Sequence, residues 1–445
     1  MEIPQGANMI LERLEQAGFA AYVVGGCVRD SLLGKVPHDW DVSTSARPEQ
    51  VQDCFRDFHV LETGIRHGTV TVLVGQEPYE ITTFRVESAY SDSRHPDSVM
   101  FVRRVEDDLA RRDFTVNAMA YSPSRGLVDL FDGQGDLRRK RIRCVGEADL
   151  RFQEDALRIL RALRFASTYG FCVEEETARS VHQNRGLLGK IAPERIRVEL
   201  EKLLDGVGAE QILRKYADVI CTVIPELAPL LDFDQKNPHH IYTVWEHTIH
   251  AVGAAKSGTL ARLCLLLHDV GKPACCTEDD RGVRHFYGHP EKGAEIAEEI
   301  LRRLRFDTET IRRVTEIVRV HDSAIGSGKP AIRRWLNRIG GEQLRLLLEV
   351  KEADARAQAP EFLQGNLEKV REAAQTLEEV QQEESCFRLR DLRVGGRDLM
   401  AVGIPSGPAL GRILETLLQQ VMEERIPNEK EPLLWEAKNL WEDSC

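Results

Sequence analysis

The pattern of apolar and polar positions changes once along the chain. Before about residue 145, apolar and β-branched runs with strand character, such as 69–74 and 79–84, alternate with segments of helical spacing. From Asp149 onward the strand signals fade, and apolar residues recur at helical spacing, as in 155–169. The pattern therefore predicts an α+β head followed by a mostly α-helical remainder.

Breaks in this pattern predict four domains. A chain of 445 residues is too long for one compact core. The Pro- and His-rich stretch 237–240 opens a new block, and the Gly-rich stretch 326–330 closes it. We predict an α+β head at 1–147, a helical neck at 148–236, a third domain at 237–330 and a helical tail at 331–445.

The composition narrows the class of protein. The chain is 42% hydrophobic and contains no stretch near 18 apolar residues, so we expect a soluble protein that does not enter a membrane. Residues 1–16 are amphipathic and acidic rather than a signal peptide, which predicts a cytoplasmic location. The ten cysteines lack a spaced CxxC pair, so we expect reduced cysteines and neither a disulfide framework nor a zinc site.

The charge is unevenly distributed. The net charge of -12 argues against a general polyanion binder. Arginines are nevertheless concentrated between residues 103 and 164, so a basic face can coexist with acidic helices elsewhere.

The strongest chemical signal is a glycine turn followed by two alternating carboxylates. Gly25 and Gly26 follow an apolar strand and would let the backbone close on a phosphate group, with Arg29 as its charge partner. Asp39 and Asp41 are two residues apart, so in an extended segment both side chains project to the same face. Carboxylate oxygens are suitable ligands for one or two Mg²⁺ ions. The spacing points to metal-dependent nucleotidyl transfer.

Three further motifs follow in a fixed order, at 79–85, 111–118 and 154–165. The ordered set resembles the nucleotidyltransferase family that contains tRNA CCA-adding enzymes and bacterial poly(A) polymerases. The resemblance covers most of the chain. It implies a polymerase-β-like mixed sheet with helices in the head, and template-independent addition and repair of the 3′-terminal CCA of tRNA from CTP and ATP, with release of pyrophosphate.

The resemblance also implies roles for individual residues. Glu80 matches the family's third catalytic carboxylate beside Asp39 and Asp41, although a solvent-facing strand residue is the simpler alternative. Asp155 and Arg158 would read the base, because a carboxylate accepts from the amino group that cytosine and adenine share. An intrahelical ion pair is the alternative for these two. The residues expected to bind the nucleotide are Gly26, Arg29, Arg112, Asp155, Arg158, Arg161 and Arg164.

The subtype within the family depends on two segments. The segment 63–70 resembles the CCA-adding type more than the more basic segment of poly(A) polymerases. The segment 87–96 would supply the flexible loop that accompanies A addition. A bacterial poly(A) polymerase or an enzyme that adds only A remains the alternative.

A second constellation lies in the third domain and resembles an HD metal-dependent phosphohydrolase. The expected ligands are His247, His268, Asp269 and Asp322, with His289 and His321 as candidates for a second ion. The sequence does not identify this second divalent metal. Two alternatives follow: a vestigial helical scaffold that holds tRNA, or a hydrolase acting on RNA 3′ ends or nucleotides while the head is degenerate.

The tail resembles that of CCA-adding enzymes from Leu392 to Glu429, which implies recognition of the tRNA elbow and acceptor arm by shape. A non-enzymatic RNA chaperone is the remaining alternative. The intact pair Asp39 and Asp41 disfavours both this chaperone and a degenerate head.

Overall fold

The computed structural model describes residues 1–87, 99–237, 241–256, 258–383 and 386–443. The chain divides into two compact units, Met1–Ala228 and Pro229–Cys445. Most of the predicted loop 87–96 and of the predicted break 237–240 lies outside the described residues. The finer division into four domains stays a prediction.

The first unit is built on short strands. They are β1 (Ala21–Val24), β2 (Val42–Thr44), β3 (His59–Gly64), β4 (Thr69–Val74), β5 (Glu77–Thr83), β6 (Arg85–Glu87), β7 (Val99–Phe101), β8 (Met119–Ser122), β9 (Gly126–Asp129), β10 (Arg141–Ile142) and β11 (Cys172–Val173). Seven of them form one sheet in the order β3-β4-β5-β2-β1-β8-β9. Within it β2 and β5 are parallel, whereas the other neighbouring strands are antiparallel.

Helices cover this sheet and then replace it along the chain. The helices of the first unit are α1 (Gln5–Gln16), α2 (Gly26–Leu32), α3 (Pro48–Cys54), α4 (Val105–Ala110), α5 (Gly133–Arg139), α6 (Ala148–Glu154), α7 (Leu157–Tyr169), α8 (Glu175–Asn184), α9 (Pro193–Leu204), α10 (Ala209–Lys215) and α11 (Ala217–Val223). Short 3₁₀ turns lie at Ile65–His67, Thr115–Asn117, Arg185–Lys190 and Pro225–Leu230.

Buried and exposed side chains alternate along β5, so one face of the strand packs on the core and the other carries Glu80. Tyr79, Ile81 and Thr83 are buried, whereas Glu80 between them is exposed. Successive side chains of a strand point to opposite faces, so burying the first set directs Glu80 away from the core.

In the described residues of the second unit, the regular elements are helices and one hairpin. Its helices are α12 (Val244–Ala254), α13 (Thr259–Leu267), α14 (His289–Arg303), α15 (Thr308–Val320), α16 (Lys329–Ile339), α17 (Gly341–Arg356), α18 (Pro360–Gln382), α19 (Gly396–Ala401), α20 (Pro408–Met422) and α21 (Lys430–Glu442). The hairpin joins β12 (Thr277–Glu278) to β13 (Arg284–His285), and 3₁₀ turns lie at Pro273–Cys275 and Leu389–Asp391.

The second half of helix α13 is buried in the second unit. Its last five residues, Leu263 to Leu267, are all buried, as expected of a segment that is apolar on every side. The next two residues along the chain are His268 and Asp269, so the packing of α13 delivers both into the interior.

The predicted fold class, an α+β head followed by a mostly helical remainder, is confirmed. Among the described helices, none combines the length and the apolar character needed to cross a bilayer.

Candidate active site and second metal cluster

Asp41 and Glu80 lie at the same end of the parallel pair β2 and β5, and Asp39 is close enough to affect the charge of Asp41. Val42 pairs with Ile81, and the same register one residue earlier sets Asp41 beside Glu80. The carbonyl of Asp41 accepts a hydrogen bond of 3.0 Å from the Val24 amide, which ties it to the end of β1. This edge of the sheet therefore gathers residues from three strands.

The charges around Asp41 fit a cation site. Partial burial raises the pKa of the Asp41 carboxyl, and the nearby charges of Glu80 and Asp39 raise it further, whereas Arg112 lowers it. Oxygen ligands of this kind suit a hard divalent ion. The three carboxylates do not form a group of ligand atoms all within 4.8 Å, since both such groups among the described residues lie in the second unit.

The glycine turn brings an arginine close to the backbone. Gly25 has a φ of +73°, in the left-handed region that glycine adopts at little cost. A Cβ at this position would lie 2.8 Å from Nη1 of Arg112. The glycine thus admits Arg112 beside the carboxylates, a role that the sequence did not indicate.

Arg29 is held in a buried network. Its guanidinium donates two hydrogen bonds of 2.9 Å to Asp30 and a third, from Nη1, to the amide oxygen of Asn117. Asn117 in turn donates to Oδ1 of Asp113 at 3.0 Å, and Arg161 donates to Oδ2 of the same carboxylate at 2.9 Å. A continuous hydrogen-bonded chain therefore joins α2 to α7.

The charge of Asp113 makes this network sensitive to acid. Burial alone would raise the pKa of Asp113, but Arg161 and the Asn117 hydrogen bond lower it to about 2. A depressed folded-state pKa gives stability above the unfolded-state value that is lost as the pH falls through the folded-state value. We expect this contribution, about 2 kcal/mol, to disappear between about pH 5 and pH 2.

Urea unfolding of Asp113→Asn and of the parent chain tests this expectation. The difference in the free energy of unfolding should be largest near pH 7 and should shrink steadily on acidification. A difference that is constant from pH 7 to pH 3 would contradict the assigned ion pair.

Two neighbouring arginines share one buried carboxylate. Burial would raise the pKa of Asp108, yet Arg112 and Arg111 outweigh it and lower that pKa. The salt bridges measure 2.9 Å to Arg111 and 3.2 Å to Arg112. Asp108 therefore fixes both arginines at the head of the motif.

The predicted helix 155–169 begins later than the sequence suggested. Asp155 ends α6 in an extended conformation, with φ -139° and ψ 103°, and α7 starts at Leu157. The prediction that Asp155 and Arg158 lie on one helix is therefore wrong. The backbone break occurs because the Asp155 side chain accepts from the Leu157 amide at 3.0 Å, in competition with helix continuation.

Asp155 and Arg158 have partners other than each other. Asp155 accepts a hydrogen bond of 2.8 Å from Arg195 on α9. Arg158 forms a salt bridge with Glu154 and donates to the carbonyl of Arg111 at 3.3 Å. Sequence reasoning missed Arg195, because a salt bridge between distant helices leaves no local pattern.

Arg161 and Arg164 extend along α7 around one aromatic ring. The guanidinium of Arg164 lies 3.9 Å from the centroid of Phe165, and that of Arg161 lies 5.4 Å away. Arg164 also forms a salt bridge of 3.0 Å with Glu199. These contacts orient two cations on the same side of α7.

One cavity of about 500 Å³ brings most of the predicted residues together. Asp41 lines it together with every predicted nucleotide-binding residue, whereas Asp39 and Glu80 are not in its wall. The lining residues are Gly25, Gly26, Arg29, Asp41, Arg111, Arg112, Asp113, Asn117, Asp155, Leu157, Arg158, Arg161, Arg164, Phe165 and Arg195.

The second unit contains a compact cluster of imidazoles and carboxylates. His268 and Asp269 follow α13, His247 lies on α12 and Asp354 on α17. Nε2 of His247 lies 2.8 Å from Asp354, and the Nε2 atoms of His247 and His268 are 3.3 Å apart. His268, Asp269 and His321 form a second group of potential ligand atoms within 4.8 Å.

Asp269 lies between His268 on one side and the pair His289 and His321 on the other. Its Oδ2 lies 3.2 Å from Nε2 of His268 and forms a salt bridge of 2.7 Å with Nζ of Lys272. Its Oδ1 lies 3.6 Å from Nε2 of both His289 and His321. Each carboxylate oxygen therefore faces a different pair of ring nitrogens or cations.

The histidines are oriented in the same way. The Nδ1 atoms of His268, His289 and His321 lie 2.6–2.7 Å from backbone carbonyl oxygens, and that of His247 lies 3.2 Å from one. A carbonyl only accepts, so each Nδ1 donates outward and each Nε2 atom faces the cluster. Outer hydrogen bonds of this kind are typical of metal-binding histidines.

Asp354 is a potential ligand that the sequence analysis did not name, whereas the role of the predicted ligand Asp322 stays a prediction. Asp322 lines the adjoining cavity of about 580 Å³, but it belongs to neither group of close ligand atoms. Asp354 lies on a separate helix and follows no histidine, so no local motif marked it.

A mixed sheet with carboxylates beside an arginine-lined cavity defines a metal-dependent nucleotidyltransferase. The protein-family model "Poly A polymerase head domain" matches residues 21–143. A second family model, "Probable RNA and SrmB- binding site of polymerase A", matches residues 170–231. The model "tRNA nucleotidyltransferase domain 2 putative" matches 290–437.

Individual relatives narrow the class further. A CCA-adding enzyme of Limosilactobacillus fermentum is 35% identical over 98% of this chain and 96% of its own. A CCA-adding enzyme of Lactobacillus delbrueckii is 50% identical over 51% of this chain, and the match spans only 56% of that relative. The crystal structure of the Bacillus stearothermophilus CCA-adding enzyme in complex with CTP covers 100% of both chains at 31% identity, with a TM-score of 0.72.

The chain therefore belongs to the family of CCA-adding enzymes, which are nucleotidyltransferases. The predicted resemblance is confirmed. Nucleotidyl transfer in this family implies a divalent metal, and the chain contains acidic and imidazole groups able to bind one.

Proposed function

We propose that the chain adds and repairs the 3′-terminal CCA of tRNA, with CTP and ATP as substrates and pyrophosphate as the second product. The observation that carries this proposal is the cavity of the head, where Asp41, six arginines of the motifs and Asp155 share one wall. A triphosphate needs cations, and base selection needs a fixed hydrogen-bonding edge.

The carboxylates Asp39, Asp41 and Glu80 would hold Mg²⁺. When bound, the metal supplies the charge that activates the terminal hydroxyl and neutralises the leaving phosphates. Arg112 is oriented toward the same edge by Asp108, so its guanidinium is available to the triphosphate. Arg29 already donates hydrogen bonds to Asp30 and Asn117. We propose that it both stabilises the glycine turn and binds the phosphate.

Asp155 and Arg158 would select the base. Arg195 fixes the side chain of Asp155, and a carboxylate has further lone pairs that accept from an exocyclic amino group. Cytosine and adenine both present that amino group, whereas uracil and guanine present a carbonyl. Arg158 would donate to the ring acceptor beside it.

Arg195→Ala tests this selection. Without Arg195 the Asp155 carboxylate loses its orientation, so we expect the preference in kcat/KM for CTP over UTP to fall about tenfold. Single-nucleotide incorporation on a tRNA transcript measures the ratio. Arg197→Ala on the same helix, which breaks an ion pair with Glu201 instead, is the matched control and should preserve the ratio.

The remaining parts of the chain would position tRNA. We assign the head to 1–147, the neck to 148–236, the HD-like domain to 237–330 and the tail to 331–445, with the tail binding the elbow and acceptor arm by shape. With a substrate of this kind, we propose a cytoplasmic location for the protein.

The decisive experiment incubates the chain with tRNA transcripts that lack CCA, with CTP, ATP or both. Two C residues from CTP alone, and arrest after one A with both nucleotides, support CCA addition. A long A ladder identifies a poly(A) polymerase, and extension only of tRNA ending in CC identifies an A-adding enzyme. Absence of any extension refutes nucleotidyl transfer.

A second activity is favoured by the cluster in the second unit. We propose that His247, His268, Asp269 and Asp354 hold one divalent ion, and that His289 and His321 complete a site for a second, with hydrolysis of phosphate esters as its function. A donor set rich in imidazole favours a transition metal over Mg²⁺. Metal analysis after exposure to Mn²⁺ tests the site, and a metal-free chain would leave the helical scaffold as its role.

A further inference from the structure

Two stacked aromatic rings lie at the rim of the cavity that contains the metal cluster. The rings of His285 and Tyr287 are 5.5 Å apart between centroids and only 7° from parallel. Both residues line the same cavity as His268, Asp269 and His321. Tyr287 is 80% exposed, so one face of the stack is open to solvent.

The stack is fixed from the side of His285. Nε2 of His285 lies 3.0 Å from the carboxylate of Asp279, which orients the ring. The backbone of His285 pairs with Thr277 across the hairpin. The imidazole of His285 is therefore held in place, and the ring of Tyr287 stacks on it.

The stack is also fixed from the side of the metal ligands. Phe286, between the two rings in sequence, packs its own ring 6.1 Å from that of Phe233. The carbonyl of Phe286 accepts a hydrogen bond of 3.1 Å from the His289 amide and lies 2.7 Å from Nδ1 of the same histidine. The residue that presents Tyr287 therefore also orients a proposed ligand, His289.

The separation suits one nucleotide. Tyr287 precedes His289 by two residues, so their Cα atoms are at most about 7 Å apart. A flat aromatic face that is open to solvent binds a nucleobase by stacking, without sequence preference. A phosphate group on the ribose of that nucleotide would then reach the cluster that lines the same cavity.

We propose that this cavity binds a nucleotide, with the base stacked on Tyr287 and the phosphate at the metal cluster. The inference rests on the metal site proposed above and names its substrate class, a nucleoside monophosphate that is either free or the terminal residue of an RNA. Tyr287 is the residue that distinguishes a nucleotide from other phosphate esters.

The test uses the full chain carrying Asp39→Ala and Asp41→Ala, so that metal binding in the head is removed. Adenosine 3′-monophosphate and ribose 5-phosphate are titrated calorimetrically into the Mn²⁺-exposed protein. We expect the nucleotide to bind more tightly than the sugar phosphate. Tyr287→Ala should weaken nucleotide binding about tenfold and leave the sugar phosphate unchanged, because only the nucleotide has a base to stack.

Two variants serve as controls. Tyr287→Phe keeps the aromatic face and should retain the affinity for the nucleotide. Trp435→Ala removes another exposed ring, 67% accessible and outside the cavity wall, and should have no effect on the mononucleotide. Equal affinities for the two ligands, or an unchanged affinity in Tyr287→Ala, would overturn the inference.

Different results would contradict the proposed metal site and the proposed stacking on Tyr287. If no Mn²⁺ binds but Tyr287→Ala still weakens nucleotide binding, the metal site is wrong and the stacking stands. If Mn²⁺ binds and the Tyr287 variants behave alike, the stacking is wrong and the metal site stands. A short RNA with a 3′-phosphate that binds more tightly than the mononucleotide, with the same dependence on Tyr287, identifies an RNA end as the source. Equal affinities identify a free nucleotide.

Discussion

Asp41→Ala should reduce the rate of nucleotide incorporation by about 10³-fold while tRNA affinity changes little. Asp41 directly precedes β2, beside Glu80 and near Asp39, where a bound cation would offset the clustered negative charge. Removing one of these carboxylates removes a metal ligand but no residue assigned to RNA binding. Single-turnover extension of tRNA lacking CCA measures the rate, and filter binding measures the affinity.

Asp53→Ala is the matched control for this prediction. Asp53 is an exposed carboxylate of the same unit, on α3 and outside the cavity wall. Incorporation by this variant should equal that of the parent chain. If Asp41→Ala retains more than a tenth of the parent rate, the carboxylates of the head do not hold the catalytic metal.

Asp269→Ala should have the largest effect in the second unit, on both metal content and stability. Its two oxygens serve both halves of the cluster, so we expect loss of all bound Mn²⁺. The change also leaves Lys272 buried without the carboxylate 2.7 Å away. Breaking such a buried pair from one side typically costs about 3–5 kcal/mol. Metal analysis and urea unfolding measure the two effects.

Asp322→Ala tests which acidic residues are ligands of the proposed metal ion. Asp322 belongs to the sequence motif and lines the cavity, but it lies outside both groups of close ligand atoms. Its loss should leave Mn²⁺ binding at the first group intact. If Asp322→Ala removed the metal and Asp354→Ala did not, the assignment of Asp354 as the distant acid would be wrong.

Much of the fold was predictable because it follows from local periodicity. Runs such as 69–74 carry the alternation of a strand, and the loss of that alternation after Asp149 marks the change to helices. The pair Asp39 and Asp41 was predictable for the same reason, since two residues of spacing define one face of an extended segment.

Other features depend on partners far away in sequence. The start of α7 shifted from Asp155 to Leu157 because the side chain of Asp155 bonds locally to the backbone. Arg195 and Asp354 enter their sites from separate helices, and neither carries a neighbouring motif. Tertiary packing brings such residues to their sites, and a short segment of sequence carries no information about that packing.

The salt bridge between Asp155 and Arg195 has a consequence for synthesis on the ribosome. The strands that carry Asp41 and Glu80 are complete early, yet the wall of the cavity includes residues up to Arg195. Chains emerge from the amino terminus, and domains fold as units. The sheet can therefore form on a nascent chain whose cavity wall is incomplete, and on the proposed role of Asp155 selectivity would arise only after α9 has left the exit tunnel.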